Sequence, residues 1–227
     1  MKEKFILFDS STLISFAMNG LLPELNELKK IFKGKFIITK EVKQEVVDKP
    51  LTMKRFELEA LKIEELLNEK ILELPSSIGI TDSEISKETK NILDTANNTF
   101  YARDRPISLI DAGEASCLGL SKILKSKKME NVVAVDERTA RMLCERPENL
   151  KRLFEKKLHT KIQSKEENYK FFRGINFIRS SELIYVAYKK KLLKLKGSKV
   201  LDAMLYALKF KGCAISEEEI EEIKAIK

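Results

Sequence analysis

The chain has 227 residues, of which 43% are hydrophobic and 34% charged, and its formal net charge is +8. This is the composition of a folded globular protein with a sizeable core, and it excludes a disordered chain. The cysteines (Cys117, Cys144, Cys213) are far apart and His159 is the only histidine, so we expect buried free thiols, and any acid–base or metal chemistry must use carboxylates. No apolar run reaches the roughly 18 residues that a membrane span needs, and the N-terminal run is too short for a signal peptide. We therefore expect a cytoplasmic protein without a membrane partner.

Buried strands alternate with helices through the first half of the chain. KFILFD predicts a strand that ends at Asp9, a helix over about 11–18 follows, and LLPELNELKKIFK predicts a second helix. KFIIT predicts a second strand, after which Thr39 caps the helix TKEVKQEVVD. LTMKRFELEALKIEELLNEKILEL predicts a long helical stretch, and a further helix begins after a loop with Asp82 or Ser83 as its cap.

The second half begins with SLIDAGEASCLGLSKILKSKK, whose apolar positions predict a mostly buried helix. NVVAVD predicts a third strand that ends at Asp136, and DERTARMLCERP predicts a helix from Glu137 that Pro147 stops. INFIRS is a candidate fourth strand, and helices are predicted for SSELIYVAYKKKLL and LDAMLYALKFKG. Ser216 caps a final helix in AISEEEIEEIKAIK.

Strands that are apolar on both faces and alternate with helices predict an α/β fold with a central parallel sheet covered on both sides. The active sites of such folds lie at the carboxyl ends of the strands. Asp9 and Asp136 both lie at strand ends, so we expect them to converge at one edge of the sheet.

Two pairs of acids can join Asp9 and Asp136. The two members of each pair are about one helical turn apart, so they lie on one face of a helix. Glu41 and Glu45 follow the KFIIT strand, and Asp111 and Glu114 lie in DAGEAS, where Gly113 leaves the backbone uncrowded. Acids within an apolar helix are costly unless a cation meets them. A ligand set made only of oxygen favours Mg²⁺ or Mn²⁺, which can promote cleavage of a phosphodiester.

Each acid also has an ordinary structural role open to it. Asp9, Asp111 and Asp136 could cap the helices that follow them. Glu41 and Glu45 could be surface residues, as most helical glutamates are.

Positive charge is concentrated in the second half of the chain. Residues 151–212 carry 17 Lys or Arg against five Asp or Glu, whereas residues 213–227 carry five Glu and two Lys. This asymmetry suits a nucleic-acid-binding surface and suits a solvated lysine-rich surface equally well. The candidate nucleic-acid contacts are Lys156, Lys157, Lys161, Lys189, Lys190 and Lys191.

The motifs follow one another in an informative order. A strand ending in DSS precedes a T-x-x-V-x-x-E helix, a GEA helix and a strand ending in DERTAR. Over residues 4–145 this order resembles the PIN-domain nucleases, especially the archaeal and bacterial branch related to VapC-type toxins. The two helices after INFIRS resemble the closing helices of some members.

This resemblance implies a three-layer α-β-α fold with a carboxylate cluster that binds Mg²⁺ or Mn²⁺ and hydrolyses RNA. Carried over residue by residue, the implied catalytic residues are Asp9, Glu45, Glu114 and Asp136, with Asp9, Glu114 and Asp136 on the metal ion. Ser11 would hydrogen-bond within the cluster. The reserve candidates are Asp111, Glu137 and Glu41.

We expect a single PIN-like domain over residues 1–227, with its core at 4–145, an insertion at 76–106 and a basic segment with closing strand and helices at 151–227. The stretches 76–106 and 151–173 are additions relative to a stand-alone toxin, and they could bind RNA or form an interface. The partners implied are RNA, an antitoxin-type protein and a second copy of the chain; SSELIYVAY suits a homodimer and suits a core equally. The alternative function is a PIN-like RNA-binding or assembly scaffold that does not cleave.

Overall fold

A computed structural model describes residues 3–226, and its centre is a five-stranded parallel sheet flanked by helices. The strands are β1 (Lys4–Phe8), β2 (Gly34–Ile37), β3 (Leu72–Glu73), β4 (Phe100–Ala102), β5 (Arg105–Pro106), β6 (Glu130–Ala134), β7 (Ile162–Ser164) and β8 (Phe177–Ile178). The parallel sheet has the order β3-β2-β1-β6-β8, and the other three strands form a small antiparallel sheet of order β5-β4-β7. The predicted α/β class with a central parallel sheet is confirmed.

Twelve α-helices lie within the described residues. They are α1 (Ser10–Met18), α2 (Leu22–Ile31), α3 (Lys40–Lys43), α4 (Glu57–Asn68), α5 (Asp82–Asn97), α6 (Ala112–Ser126), α7 (Arg138–Glu145), α8 (Pro147–Leu158), α9 (Tyr169–Phe172), α10 (Ser180–Lys189), α11 (Val200–Phe210) and α12 (Glu217–Ala225). A π-helical turn, Gln44–Asp48, continues α3. None of the helices in residues 3–226 combines the length and apolar character needed to cross a membrane.

The middle strand, β1, carries the core. Its residues from Phe5 to Phe8 are all buried, and because successive side chains point to opposite faces, both faces of the sheet are covered there. Leu7 pairs with Ile37 of β2 on one side and with Val133 of β6 on the other. Helix α6 packs against β1 and β6, which brings the first turn of α6 to the edge of the sheet where β1 ends.

The long helical stretch predicted for LTMKRFELEALKIEELLNEKILEL is confirmed only over α4. The stretch forms a short 3₁₀ turn (Pro50–Thr52), then α4, then the two-residue strand β3. Lys70, just past α4, has a left-handed backbone (φ 57°) that turns the chain back to the sheet. Leu72 then pairs with Phe36, a long-range contact that a local apolar pattern does not reveal.

The predictions for helix caps, short strands and cysteines are partly confirmed and partly wrong. Ser216 and Thr39 cap their helices as expected, and INFIRS contains β8. The cap of α5 is Thr81, in a reciprocal pair with Glu84, and is neither Asp82 nor Ser83. The final helix ends at Ala225, and the last residue of the predicted segment, Lys227, lies outside the described residues. The three cysteines are free and buried, as predicted.

The two stretches interpreted as additions, 76–106 and 151–173, are joined to each other. Strand β4 of the first pairs antiparallel with β7 of the second, Tyr101 opposite Gln163. Helix α5 packs along α6, and ion pairs from Glu88 to Lys122 (2.8 Å) and from Glu84 to Lys127 (3.3 Å) link the two helices. The first stretch is therefore attached to the helix that carries Glu114.

Candidate functional site

Asp9 lies at the carboxyl end of β1 and begins α1. Its backbone N–H donates to the carbonyl of Ala134 at the end of β6 (2.9 Å), so the two strand ends lie side by side. Its Oδ2 accepts from the backbone N–H (3.0 Å) and the hydroxyl (2.5 Å) of Ser11. The helix-cap interpretation is thus confirmed, and so is the predicted hydrogen bond of Ser11. Asp9 is only 1% exposed, yet its Oδ1 has no hydrogen-bond partner in the described part of the chain.

Glu114 is held at the first turn of α6 by a reciprocal capping box with Asp111. Asp111 Oδ1 accepts from the Glu114 N–H (2.9 Å), and Glu114 Oε2 accepts from the Asp111 N–H (3.3 Å). Asp111 is therefore the helix cap that the sequence allowed. The side chain of Glu114 repeats the pattern of Asp9: the residue is 7% exposed, and its Oε1 has no hydrogen-bond partner among residues 3–226.

Asp9 and Glu114 line the same small pocket, together with apolar neighbours such as Val135 and Cys117. Burial raises the pKa of Asp9 to about 7, although the hydrogen bonds from Ser11 oppose this. Burial also raises the pKa of Glu114 to about 9, and the negative charges of Asp9, Asp111 and Glu137 add to the effect. Two carboxyl groups thus meet in a site that opposes the ionisation of both.

Glu45 approaches the site from the π-helical turn that follows α3. The start of α3 is pinned to α6 by a buried hydrogen bond between the hydroxyls of Thr39 and Ser116 (2.6 Å). Glu45 then lies so close to Gly113 that a Cβ built on this glycine would be 2.5 Å from Glu45 Oε2. Burial raises the pKa of Glu45, while hydrogen bonding from Ser10 and from the Gly113 backbone lowers it. Glu41, one turn earlier, is half-buried.

Asp136 does not direct its carboxylate to this cluster. Its backbone N–H donates to the Ser11 hydroxyl (3.0 Å), but the side chain is fully buried against the start of α10. There Oδ1 accepts from the Ser180 N–H (2.8 Å) and Oδ2 from the Ser180 hydroxyl (2.7 Å). The Asp136 side chain therefore does not line the pocket shared by Asp9 and Glu114. Nor does it cap α7, the helix that follows it, as the sequence alternative allowed; the cap position there belongs to Glu137.

The reserve acid Glu137 is exposed at the start of α7, and its negative charge contributes to the raised pKa of Glu114. The structure thus brings Asp9, Glu45, Asp111, Glu114 and Glu137 together. Two participants were missed from the sequence, Ser180 and Ser10. The pair of serines before ELIYVAY is a helix-start pattern, but its acceptor lies 44 residues upstream, where no local pattern can reach.

The six candidate lysines are all exposed and fall into two groups. The first group lies at the end of α8 and just before β7, and the second lies at the end of α10 and just after it. The first group is Lys156, Lys157 and Lys161, and the second is Lys189, Lys190 and Lys191. Both groups are accessible to a polyanion.

Comparison of the chain with protein-family models, with curated proteins and with solved structures finds no match. The function must therefore be argued from the site itself.

Proposed function

We propose that the chain is a metal-dependent ribonuclease of the PIN-like, three-layer α/β class, in which Asp9 and Glu114 hold a Mg²⁺ or Mn²⁺ ion. One observation carries the proposal: two carboxylate oxygens, Asp9 Oδ1 and Glu114 Oε1, are buried without a hydrogen-bond partner in the described residues, and both residues line one small pocket. Buried polar atoms are nearly always paired, so two unpaired carboxylate oxygens on residues of one pocket support a cation-binding role for it.

The donor set fits such an ion. Within residues 3–226, no group of three or more His, Cys, Asp or Glu side chains is arranged to hold a metal by itself. Mg²⁺ needs no such group, because it commonly binds through one or two protein carboxylates. Two oxygen donors without histidine or thiolate favour Mg²⁺ or Mn²⁺ over zinc or copper.

The remaining residues position these donors and the substrate. When bound, the ion would supply positive charge for the phosphate oxygens and for an attacking water. Ser11 fixes Asp9 through Oδ2, and the Asp111 N–H fixes Glu114 through Oε2, so in each carboxylate the other oxygen is held in place. Glu45, at the half-buried rim, can accept a hydrogen bond from a water that approaches the phosphate.

RNA is the proposed substrate because the acids lie in a chain whose residues 151–212 are strongly basic. A toxin-like role with an antitoxin-type partner and a role in RNA processing both fit this chemistry. We place this activity in the cytoplasm, and the chain could act there as a homodimer. The helix in SSELIYVAY packs largely into the core, with Leu183, Ile184 and Ala187 buried. A homodimer would therefore need another surface.

A second candidate is a non-cleaving RNA-binding or assembly scaffold with the same fold. The observation in its favour is that Asp136, the fourth acid implied by the resemblance, gives both oxygens to Ser180. A site that has lost one ligand to the fold could bind RNA without turnover.

Cleavage separates the two candidates. Purified protein is incubated with end-labelled single-stranded and hairpin RNAs in Mn²⁺, in Mg²⁺ and in EDTA, beside Asp9→Asn and Glu114→Gln. The matched control is Asp94→Asn, an exposed acid on α5. Metal-dependent cuts that survive Asp94→Asn and disappear in both site variants support the nuclease. RNA binding without cuts in any metal favours the scaffold.

A further inference from the structure

A second charged site lies beside the acids, in a cleft of about 650 Å³ between α7, the end of β8 and the start of α12. We call it the arginine cleft, after the four arginines that line it: Arg138, Arg141, Arg146 and Arg179. Three glutamates line it as well, so its capacity for an anion depends on which charges are already paired.

Arg179 is paired. Its Nη2 and Nε donate to Glu182 Oε1 (2.6 and 2.9 Å), and its Nη1 donates to Glu219 Oε1 (2.7 Å). These bonds occupy two of the three glutamates and tie the start of α10 to α12. The only acid of the cleft outside this network is Glu145, on α7 itself.

Arg141 is not paired in this way. Its guanidinium is half-buried, and its one side-chain hydrogen bond in the described chain is a long one, from Nη2 to the carbonyl of Ala214 (3.4 Å). No carboxylate among residues 3–226 lies within ion-pair distance of it. Burial and the charge of Arg179 lower the pKa of Arg141, and the negative charges of Glu145, Glu182 and Glu219 oppose this without forming an ion pair. Its fork of N–H groups is suited to an oxyanion.

Arg138 extends this positive charge towards the acid site. It is exposed, makes no ion pair within the described range, and is one helical turn from Arg141 on the same side of α7. It also directly follows Glu137, whose charge reaches Glu114. Phe177 lines both the arginine cleft and the pocket of Asp9 and Glu114, so the two sites are neighbours.

We propose that Arg141 and Arg138 bind a backbone phosphate of an RNA strand whose neighbouring phosphate lies at the acid site. The proposal rests on the proposed function for the identity of the ligand. A planar guanidinium can donate two parallel hydrogen bonds to phosphate oxygens. Arg179, whose charge is paired with Glu182 and Glu219, holds α10 and α12 together at the wall of the cleft.

Binding in the absence of metal tests the proposal without requiring cleavage. The affinity of the full chain for a fluorescein-labelled single-stranded RNA is measured by anisotropy in EDTA over a range of salt concentrations. We expect Arg141→Ala to weaken binding about tenfold and to reduce the salt slope by about 0.7. Arg141→Lys should keep the slope and lose part of the affinity, because it keeps the charge and loses the fork.

Two further variants keep the test decisive. Arg138→Ala removes an exposed side chain and should weaken binding without affecting folding, which covers the case in which Arg141→Ala unfolds. Arg55→Ala is the matched control, an exposed arginine outside the cleft, and should bind like the original chain. If both cleft variants bind like Arg55→Ala, the proposal is overturned, whether or not the protein cleaves RNA. If they lose affinity in a chain that never cleaves, the cleft stands and the nuclease proposal fails alone.

Discussion

Asp9 shows how a single carboxylate can serve both the fold and a site. Its Oδ2 takes two hydrogen bonds from Ser11 and starts α1, and its Oδ1 is left buried and unpaired in the described residues. Glu114 divides its oxygens in the same way between the capping box of α6 and the pocket. The cap and ligand interpretations of these acids are therefore compatible, because each uses a different oxygen.

We expect Asp9→Asn to stabilise the metal-free protein. The pKa of Asp9 is about 7 in the folded chain, and a free aspartate titrates near about 4. Protonated Asp9 thus favours the folded state, and this stability is lost as the pH rises from about 4 to about 7. In EDTA at about pH 8 the Tm of Asp9→Asn should be several degrees above that of the original chain, and at about pH 4 the two should nearly coincide.

Divalent metal should reverse this order. Mn²⁺ is expected to raise the Tm of the original chain and to leave Asp9→Asn unchanged, since binding to the folded state alone stabilises it. A drop of several degrees for Asp9→Asn in EDTA at high pH would instead show that the charged carboxylate supports the fold.

Gly113→Ala should weaken the site without weakening the fold. The new Cβ would lie 2.5 Å from Glu45 Oε2, so Glu45 has to withdraw. In α6 itself alanine is favoured over glycine by about 1 kcal/mol. We expect about tenfold less Mn²⁺-dependent cleavage, with a Tm in EDTA that is equal or higher.

Repeating Gly113→Ala in a Glu45→Ala background shows whether the loss of cleavage comes from the displacement of Glu45. If Gly113 acts through Glu45, adding Gly113→Ala to Glu45→Ala should cost nothing further. An equal loss in both backgrounds would assign the effect of Gly113→Ala to the backbone of α6 rather than to Glu45.

At the scale of elements, Asp136 joins β6 to α10 across 44 residues of sequence. Both of its oxygens accept from Ser180, and the backbone of Ala214 donates to its carbonyl (2.9 Å), which brings in the segment before α12. The strand end that the sequence suggested as part of the metal site is thus a junction between the sheet and the closing helices.

We therefore expect Asp136→Ala to destabilise the protein, in contrast to Asp9→Asn. It leaves the Ser180 N–H and hydroxyl buried without an acceptor, a cost of about 3 kcal/mol, or roughly 6–12 °C in Tm. Asp136→Asn should fold, because an amide can still pair with both groups, and should keep the Mn²⁺-dependent rise in Tm. Loss of that rise in folded Asp136→Asn would restore Asp136 to the metal site.

The success of the sequence-based predictions follows the range of the interactions involved. The apolar strands β1, β2 and β6 and the caps at Thr39 and Ser216 were predictable, because each depends on a local pattern. Strand β3 and the small sheet were not, because strands of two or three residues exist only through their partners. Asp9 was predictable as an acid at a strand end, whereas the attachment of Asp136 to Ser180 was not, because the two residues are 44 positions apart in the chain.

At the scale of the whole molecule, the joined segments 76–106 and 151–173 fix the position of several basic residues relative to α6. The pairing of β4 with β7 anchors the end of α8 to the stretch before α6, so Lys156, Lys157 and Lys161 project from a body attached to the acid-bearing helix. The second lysine group, at the end of α10, is carried by a helix tied to β6 through Asp136. Either group could guide a polyanion towards the acids.

Salt dependence can decide which group contacts RNA. Each phosphate contact with a single strand contributes about 0.7 to the salt slope, so removing three contacts should reduce it by about 2. We compare Lys156→Ala/Lys157→Ala/Lys161→Ala with Lys189→Ala/Lys190→Ala/Lys191→Ala, using Lys33→Ala/Lys54→Ala/Lys62→Ala as the charge-matched control from the near-neutral first half. We expect the first triple variant to lose more, because its lysines adjoin the sheet that is fixed to α5 and α6. Binding that ignores salt, or an equal loss in the control, would mean that the basic half is only a solvated surface.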